Sequence, residues 1–129
     1  MRVENFLKLA IRSVPALLLL AVVLPIYLTF RSCSMDDFDS YSFALALREF
    51  NLELQQPQPP GFPVYVALGR LLLAVCLDPL SALTLLSALA GAGLVLVLYG
   101  LGEQRPLTGV GAALLIGLSP MGWLTAEKA

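Results

Sequence analysis

Residues 35–70 read MDDFDSYSFALALREFNLELQQPQPPGFPVYVALGR, and they separate two long apolar segments of the chain. This stretch holds five of the nine carboxylates and four of the nine prolines of the protein. An acidic, proline-rich loop between two apolar segments is expected at a membrane surface, where it would connect two membrane helices. A charged loop held at that surface is a candidate functional site.

The composition indicates a membrane protein. The chain has 129 residues, of which 58% are hydrophobic and only 13% are charged, whereas soluble domains carry roughly a quarter charged residues. The net charge is −1, and the eight Lys and Arg residues are scattered singly along the chain. Because a nucleic-acid interface needs clustered positive charge, nucleic acid is not expected as a partner.

The absence of histidine narrows the chemistry that this chain can perform. The sequence contains no histidine, so it cannot supply a His-based zinc site or a Ser-His or Cys-His catalytic pair. Its two cysteines, Cys33 and Cys76, fit neither a metal-binding spacing nor an evident disulfide. Acid–base catalysis by this chain would therefore depend on carboxylates.

The first apolar segment predicts a membrane helix at about residues 13–31. Its uncharged run, from Ser13 to Phe30, spans about 27 Å at 1.5 Å per residue, close to the hydrocarbon thickness of roughly 30 Å. A cleaved signal peptide is the alternative, but the run is longer than a typical signal core and no A-x-A site follows it. Basic residues before the helix and acids after it predict a cytoplasmic N-terminus and a periplasmic or otherwise extracytoplasmic loop.

Within the outer loop, residues 32–61, the sequence predicts a short amphipathic helix. Asp39 and Ser40 are suited to cap a helix running from Tyr41 to about Leu52. Apolar residues recur along it at spacings of four, three and four, at Phe43, Leu47, Phe50 and Leu54. This periodicity is typical of a helix that lies along the membrane interface. A lid that covers the helix bundle is the alternative interpretation.

The prolines of residues 55–63 predict an extended strap, because each lacks an amide proton and favours extended geometry in the residue before it. Three further membrane helices are predicted after the strap, at about residues 62–77, 80–101 and 106–120. The expected fold is therefore all-α and multi-pass, with about four membrane helices and one interfacial helix. The helix at 62–77 is short for a span, at about 24 Å. If it is re-entrant, the orientation of every later helix inverts.

The strongest polar signal is the acid cluster Asp36, Asp37 and Asp39. A carboxylate at the outer end of a membrane helix is suited to act as a general base, or to hold a divalent cation together with water and phosphate oxygens. No other cofactor is expected. The alternative is that these acids only end the first helix and cap the next one. Asp78, before Pro79, is expected to be a turn residue.

Arg70 is a second candidate, because it lies about 10 Å along a predicted membrane helix. A charge at such a depth costs on the order of 3 kcal/mol unless it meets water, a partner or an anion. The alternative is that its long side chain reaches back to the membrane surface.

The order of these features resembles the N-terminal part of the GT-C superfamily of membrane glycosyltransferases, of the protein O-mannosyltransferase and lipid A aminoarabinose transferase-like types. Those families place an Asp in the first outer loop, then an aromatic residue, then a His-Pro-Pro or Lys-Pro-Pro strap. The matching residues here are Asp39, Phe43 and the segment Gln58-Pro59-Pro60-Gly61-Phe62-Pro63. The residues SPMGWLTAEKA, 119–129, resemble the end of the fourth apolar segment of those enzymes. Ser40 stands where a second acid is common, and Gln58 where His or Lys is usual.

The resemblance implies transfer of a sugar from a polyprenyl-phosphate-sugar donor to an acceptor at the outer membrane face. Asp39 is then the expected base, with Asp37 and Asp36 as the other catalytic candidates. Candidates for substrate binding are Tyr41, Phe43, Gln58 and Arg70, the last on its charge and depth. The matching part is the first quarter or so of such an enzyme, so the chain is expected to be a fragment, inactive without the remaining helices. A small membrane anchor or assembly protein without catalysis is the competing hypothesis.

Overall fold

A computed structural model describes the backbone of residues 2–35, 37–102 and 106–127, and the side chains of residues 13–35, 37–102 and 107–126. Throughout these ranges the regular structure is helical, without β-strands, which confirms the predicted all-α class. The six helices are α1 (Arg2–Thr29), α2 (Phe38–Arg48), α3 (Pro63–Cys76), α4 (Pro79–Leu101), α5 (Pro106–Gly117) and α6 (Pro120–Glu127).

Proline marks the start of four of these helices. Proline at the first helical position is favourable, because its missing N–H would have no partner there and its φ is already helical. The four helix-starting prolines are Pro63, Pro79, Pro106 and Pro120. Asp78 caps α4, since its Oδ2 accepts a hydrogen bond from the backbone N–H of Ser81 at 2.9 Å. Asp78 is thus the turn residue that the sequence predicts.

By length and composition, α4 is the helix best suited to cross a membrane, with 23 residues. The segments Leu107–Gly117 and Pro120–Ala126 qualify only as a pair, and they are bent by 64° at the break between them. The apolar segments Ser13–Thr29 and Pro63–Cys76 are shorter. The sequence-based expectation of four spans therefore stays a prediction.

Two apolar clusters divide the core, and α4 contributes to both. The Leu83 cluster joins α2, α3 and the first part of α4 through Ala44, Ala46, Leu47, Val66, Ala82 and Leu83. The Tyr27 cluster joins α1, the later part of α4, α5 and α6 through Leu19, Val23, Tyr27, Ala88, Val95, Ala113 and Ala126. Helices α2 and α3 therefore pack on one part of α4, and α1 packs on the other.

Tyr27 sits at the centre of its cluster, where two glycines allow close approach. Its hydroxyl donates a hydrogen bond to the backbone carbonyl of Gly117 at 2.6 Å. A Cβ at Gly91 would lie 2.9 Å from both the Tyr27 ring and the Ala126 methyl, which is closer than side-chain packing permits. The small residue at position 91 lets α1 and α6 meet α4 at the same point.

Helix α2 lies earlier in the chain than the sequence predicts. It ends at Arg48 rather than near Leu52, so the predicted apolar row is only half helical: Phe43 and Leu47 are on α2, whereas Phe50 and Leu54 follow it. The chain turns extended at Glu49 and then folds back. A pair of backbone hydrogen bonds between Asn51 and Gln56, at 2.7 and 2.8 Å, closes this turn. The spacing of apolar residues cannot predict such a turn, because the turn depends on backbone hydrogen bonds rather than on burial.

Candidate functional site

Asp39 lies in the first turn of α2. The N-cap residue is Asp37, whose side chain makes no capping hydrogen bond, so the predicted cap at Asp39 or Ser40 is displaced towards the N-terminus. Ser42 donates its hydroxyl to the Asp39 carbonyl at 2.8 Å, a bond that holds the first turn together. The Asp39 side chain is exposed at the surface of this turn. A carboxylate placed in this way combines a defined backbone position with access from solvent.

The strap contacts Asp39 through Gln58. The Gln58 side-chain amide, Nε2, donates a hydrogen bond to Asp39 Oδ1 at 2.5 Å. This bond joins residues that are 19 positions apart, and both belong to the pattern that resembles the glycosyltransferases. An amide donor on one carboxylate oxygen orients the group and leaves the other oxygen, Oδ2, to accept a proton or a cation.

An aromatic group lies one helical turn along α2 from this contact. It is formed by Phe43, Phe62 and Tyr65. The Phe43 ring meets Phe62 at a centroid distance of 5.7 Å and Tyr65 at 4.9 Å, in both cases edge to face. Such contacts contribute about 0.5 to 1.5 kcal/mol beyond simple burial. Phe43 therefore fixes the start of α3 against α2, next to the Asp39–Gln58 bond.

Arg70 bonds to the other end of α2. Its Nε donates to the Leu47 carbonyl at 3.1 Å and its Nη2 donates to the Ala46 carbonyl at 2.9 Å. The last carbonyls of a helix have no intrahelical partner and carry partial negative charge, so a guanidinium stabilises them. These two bonds give Arg70 a structural role. Neither its charge nor its position along the predicted membrane helix indicates this role. They use two of the five N–H donors of a guanidinium.

A groove of about 470 Å³ opens beside Arg70. Apart from Arg70, its walls are apolar, and they are formed by Phe50, Pro63, Val66 and Ala67. An apolar channel with one cation in its wall is suited to a ligand that combines a hydrocarbon chain with an anionic group. Phe50 follows the end of α2 at Arg48 and lies in the wall of this groove. The apolar period of the sequence instead predicts Phe50 as part of the helix.

The remaining predicted site residues lie apart from Asp39. Tyr41 is two residues further along α2 and is exposed, on the other side of the helix, since two residues correspond to about 200° of rotation. Asp37 is exposed at the N-cap. Arg70 bonds to the C-terminal end of α2, about 10 Å from the turn that carries Asp39. Asp36 lies outside the described residues.

Tyr65 is a site neighbour that the sequence analysis did not select. It lies three residues after Phe62, a spacing that places both rings on one side of a helix start, and this is the signal that could have identified it. Its hydroxyl also lies close to the side chain of Ser87 in α4. Among the described residues, there is no group of three or more His, Cys, Asp or Glu side chains placed to hold a metal ion.

Asp78 lies at the α3–α4 connection, and hydrogen bonds lower the pKa of its carboxyl group. The largest cause is the bond from the backbone N–H of Ser81, and the positive charge of Arg48 adds a smaller effect. Helix α2 is also in direct contact with α4.

Comparisons with known proteins add no relative to this picture. No family model matches the chain, and searches of curated proteins and of solved structures also found no match.

Proposed function

We propose that this chain contributes the acidic outer loop of a membrane glycosyltransferase, which moves a sugar from a polyprenyl-phosphate-sugar donor to an acceptor at the outer membrane face. The hydrogen bond between Gln58 and Asp39 carries the proposal. The resemblance to the GT-C superfamily selects these two residues from separate parts of the sequence, and they are in contact in the folded chain. A purely topological role for the acids would not require that contact.

Asp39 would act as the general base. Its free oxygen accepts the proton of the acceptor hydroxyl, and the acceptor oxygen forms a bond to the anomeric carbon of the sugar. The bond between that carbon and the phosphate oxygen breaks, and its electron pair leaves with the phosphate. Attack from the face opposite the leaving phosphate inverts the anomeric configuration. A phosphate is already a good leaving group, so the reaction does not require a histidine to protonate it.

The groove beside Arg70 would take the donor. Its apolar walls suit the first isoprene units, and the guanidinium donors not used on α2 suit the phosphate. A divalent cation is a further expectation for such a phosphate, with Asp37 and Asp36 as the nearest additional acids in the chain.

The membrane placement is part of the same proposal. The chain would be an integral, multi-pass membrane segment with a cytoplasmic N-terminus and an extracytoplasmic acidic loop. Of the four predicted spans, the one at 80–101 corresponds to α4, which is long and apolar enough to cross a membrane, and the one at 62–77 corresponds to the shorter α3. Membrane lipid and the remaining helices of a larger protein would be its partners.

The test is sugar transfer by membranes that contain the protein expressed from its complete gene. Asp39→Asn keeps the size of the side chain but removes the base, so transfer should fall by about two orders of magnitude or more. Asp37→Asn is the matched control and should cost far less. Near-normal turnover by Asp39→Asn with a dead Asp37→Asn would shift the base by two residues. Normal turnover by both variants would refute the mechanism. The isolated 129-residue chain should show no transfer.

A membrane anchor or assembly protein is the second candidate. The observation that favours it is the bonding of Arg70 to the Ala46 and Leu47 carbonyls, which explains that arginine without any substrate. A photoreactive polyprenyl phosphate distinguishes the two functions. Crosslinking to the groove around Phe50 and Arg70 supports the enzyme, and its absence alongside stable membrane insertion supports the anchor.

A further inference from the structure

Helices α2, α3 and the first part of α4 form one three-helix unit. Contacts between α2 and the strap with α3 follow the same order along both segments: Asp39 meets Gln58, Phe43 meets Tyr65, and the Leu47 carbonyl meets Arg70. Helices α2 and α3 therefore lie side by side and run in the same direction.

Helix α4 completes this unit and runs the opposite way. Tyr65, near the start of α3, lies close to Ser87. One turn later in α3, a Cβ at Gly69 would lie 3.5 Å from the Leu83 side chain. Later residues of α3 thus meet earlier residues of α4, which is the order of contacts in an antiparallel helix pair. The unit formed by α2, α3 and α4 up to Ser87 is called the outer unit below.

The apolar part of α1 packs beside a different region. Its buried residues Leu19, Val23 and Tyr27 share a cluster with Val95 and Ala113, and α2 and α3 contribute no buried residue to that cluster. Tyr27, close to the end of α1, contacts Gly91 in the middle of α4. The outer unit thus begins along α4 at about the point where α1 ends.

Charges at both ends of α2 limit where the outer unit can lie. Asp37 and Asp39 are at its N-terminal end, and Arg48 and Glu49 are at its C-terminal end, and all four are exposed. The helix has 11 residues and is therefore about 16 Å long, about half of the hydrocarbon thickness. Because α2 runs beside α3, a crossing α3 would carry one charged end of α2 into the hydrocarbon, at a cost on the order of 3 kcal/mol per charge.

We infer that α2 and α3 lie on the side of the membrane where α1 ends, so that α3 does not cross the bilayer and α4, an apolar helix of 23 residues, is the next helix to cross it. Asp78 then shares a side with Asp39, and the helices after α3 have the inverted orientation. The inference rests on the membrane placement in the proposed function and not on its transferase chemistry. Helix α3 then does not form the span that the sequence predicts at 62–77. As in the re-entrant alternative, both of its ends lie on the same side of the membrane.

An exposed aliphatic row along α3, at Val64, Leu68, Leu71 and Val75, suits contact with lipid in either arrangement. The side occupied by the α3–α4 connection therefore distinguishes them. Leu77 is 86% exposed and its side chain caps nothing, so Leu77→Cys is the primary reporter, with Asp78→Cys as a second. Glu53→Cys reports the acidic loop, and Lys8→Cys reports the N-terminal segment. Each is made in the 129-residue chain with Cys33 and Cys76 replaced by Ser.

Intact cells are treated with a membrane-impermeant maleimide before and after permeabilisation. We expect the cysteines at 53 and 77 to react equally in intact cells, and the cysteine at 8 to react only after permeabilisation. Opposite behaviour of 53 and 77, repeated with 53 and 78, would overturn the inference and restore a crossing α3. Extraction of the chain by alkaline carbonate would instead refute the membrane placement itself, and the inference with it.

Discussion

The Gln58 amide lies 2.5 Å from the Asp39 carboxylate and ties the proline strap to the first turn of α2. The strap returns from the far end of α2 to its beginning, and this bond marks the point where it arrives. Phe43 packs against Phe62 and Tyr65 one helical turn further on. The polar contact thus lies next to an aromatic group that holds α2 against the start of α3. This packing restricts the positions that Asp39 can adopt.

Gln58 should act as a positioning residue for Asp39. Gln58→Leu removes the donor and keeps a side chain of similar size, so under the proposed function the rate of sugar transfer should fall about tenfold or more, as expected for loss of one hydrogen bond to a charged group. Gln58→Lys restores a donor and should recover most of the rate. A Gln58→Leu variant that turns over at the rate of the parent protein would show that the contact has no role in turnover.

Arg70 should stabilise the fold through the end of α2. Arg70→Gln removes the charge and at least one of the two bonds to the Ala46 and Leu47 carbonyls, and should lower the free energy of unfolding by about 1 to 2 kcal/mol. Arg70→Lys should recover part of this loss, because an ammonium supplies charge but not the planar fork. Thermal unfolding in detergent measures both variants. Arg48→Gln is the control, since it removes an exposed cation from the same region. An Arg70→Gln protein as stable as the parent would contradict the capping role.

Tyr27 should contribute through its hydroxyl. Tyr27→Phe leaves the buried Gly117 carbonyl without this donor, which should cost about 1 to 2 kcal/mol of unfolding free energy. Tyr41→Phe removes a hydroxyl from an exposed tyrosine and should change stability by less than about 0.5 kcal/mol. Thermal unfolding of the two variants, compared in the same detergent, tests the difference. Equal effects would mean that the Tyr27–Gly117 bond is not specifically stabilising.

Asp78 should make stability depend on pH. Its carboxyl has a lowered pKa in the folded chain, so its contribution is present above the unfolded pKa of about 3.9 and disappears as the pH falls through the lower folded pKa. Asp78→Ala should therefore destabilise the protein by about 1 kcal/mol near neutral pH, and this difference should shrink below about pH 4. A constant Asp78→Ala effect down to pH 2 would contradict the assignment.

The sequence by itself determined the helical class and several helix boundaries. An apolar composition with little charge favours membrane helices. The helices predicted at 62–77, 80–101 and 106–120 begin within a residue of Pro63, Pro79 and Pro106, where the ring sets φ and removes the N–H locally. The separate helix that begins at Pro120 was not predicted. Asp78 before Pro79 likewise indicated the turn that it occupies. Such signals act within a few residues, so they can be read without knowing the rest of the fold.

Only the tertiary structure decided which of the candidate residues meet. The Asp39–Gln58 bond depends on the path of the strap, and the bonding of Arg70 to two α2 carbonyls depends on α2 and α3 lying side by side. Neither relationship is encoded in a local period. The early end of α2 at Arg48 has the same origin, since long-range bonds from Arg70 and the Asn51–Gln56 turn prevail over an apolar row that continues to Leu54. Contacts between distant residues form only when the whole chain is packed, and local propensities do not determine them.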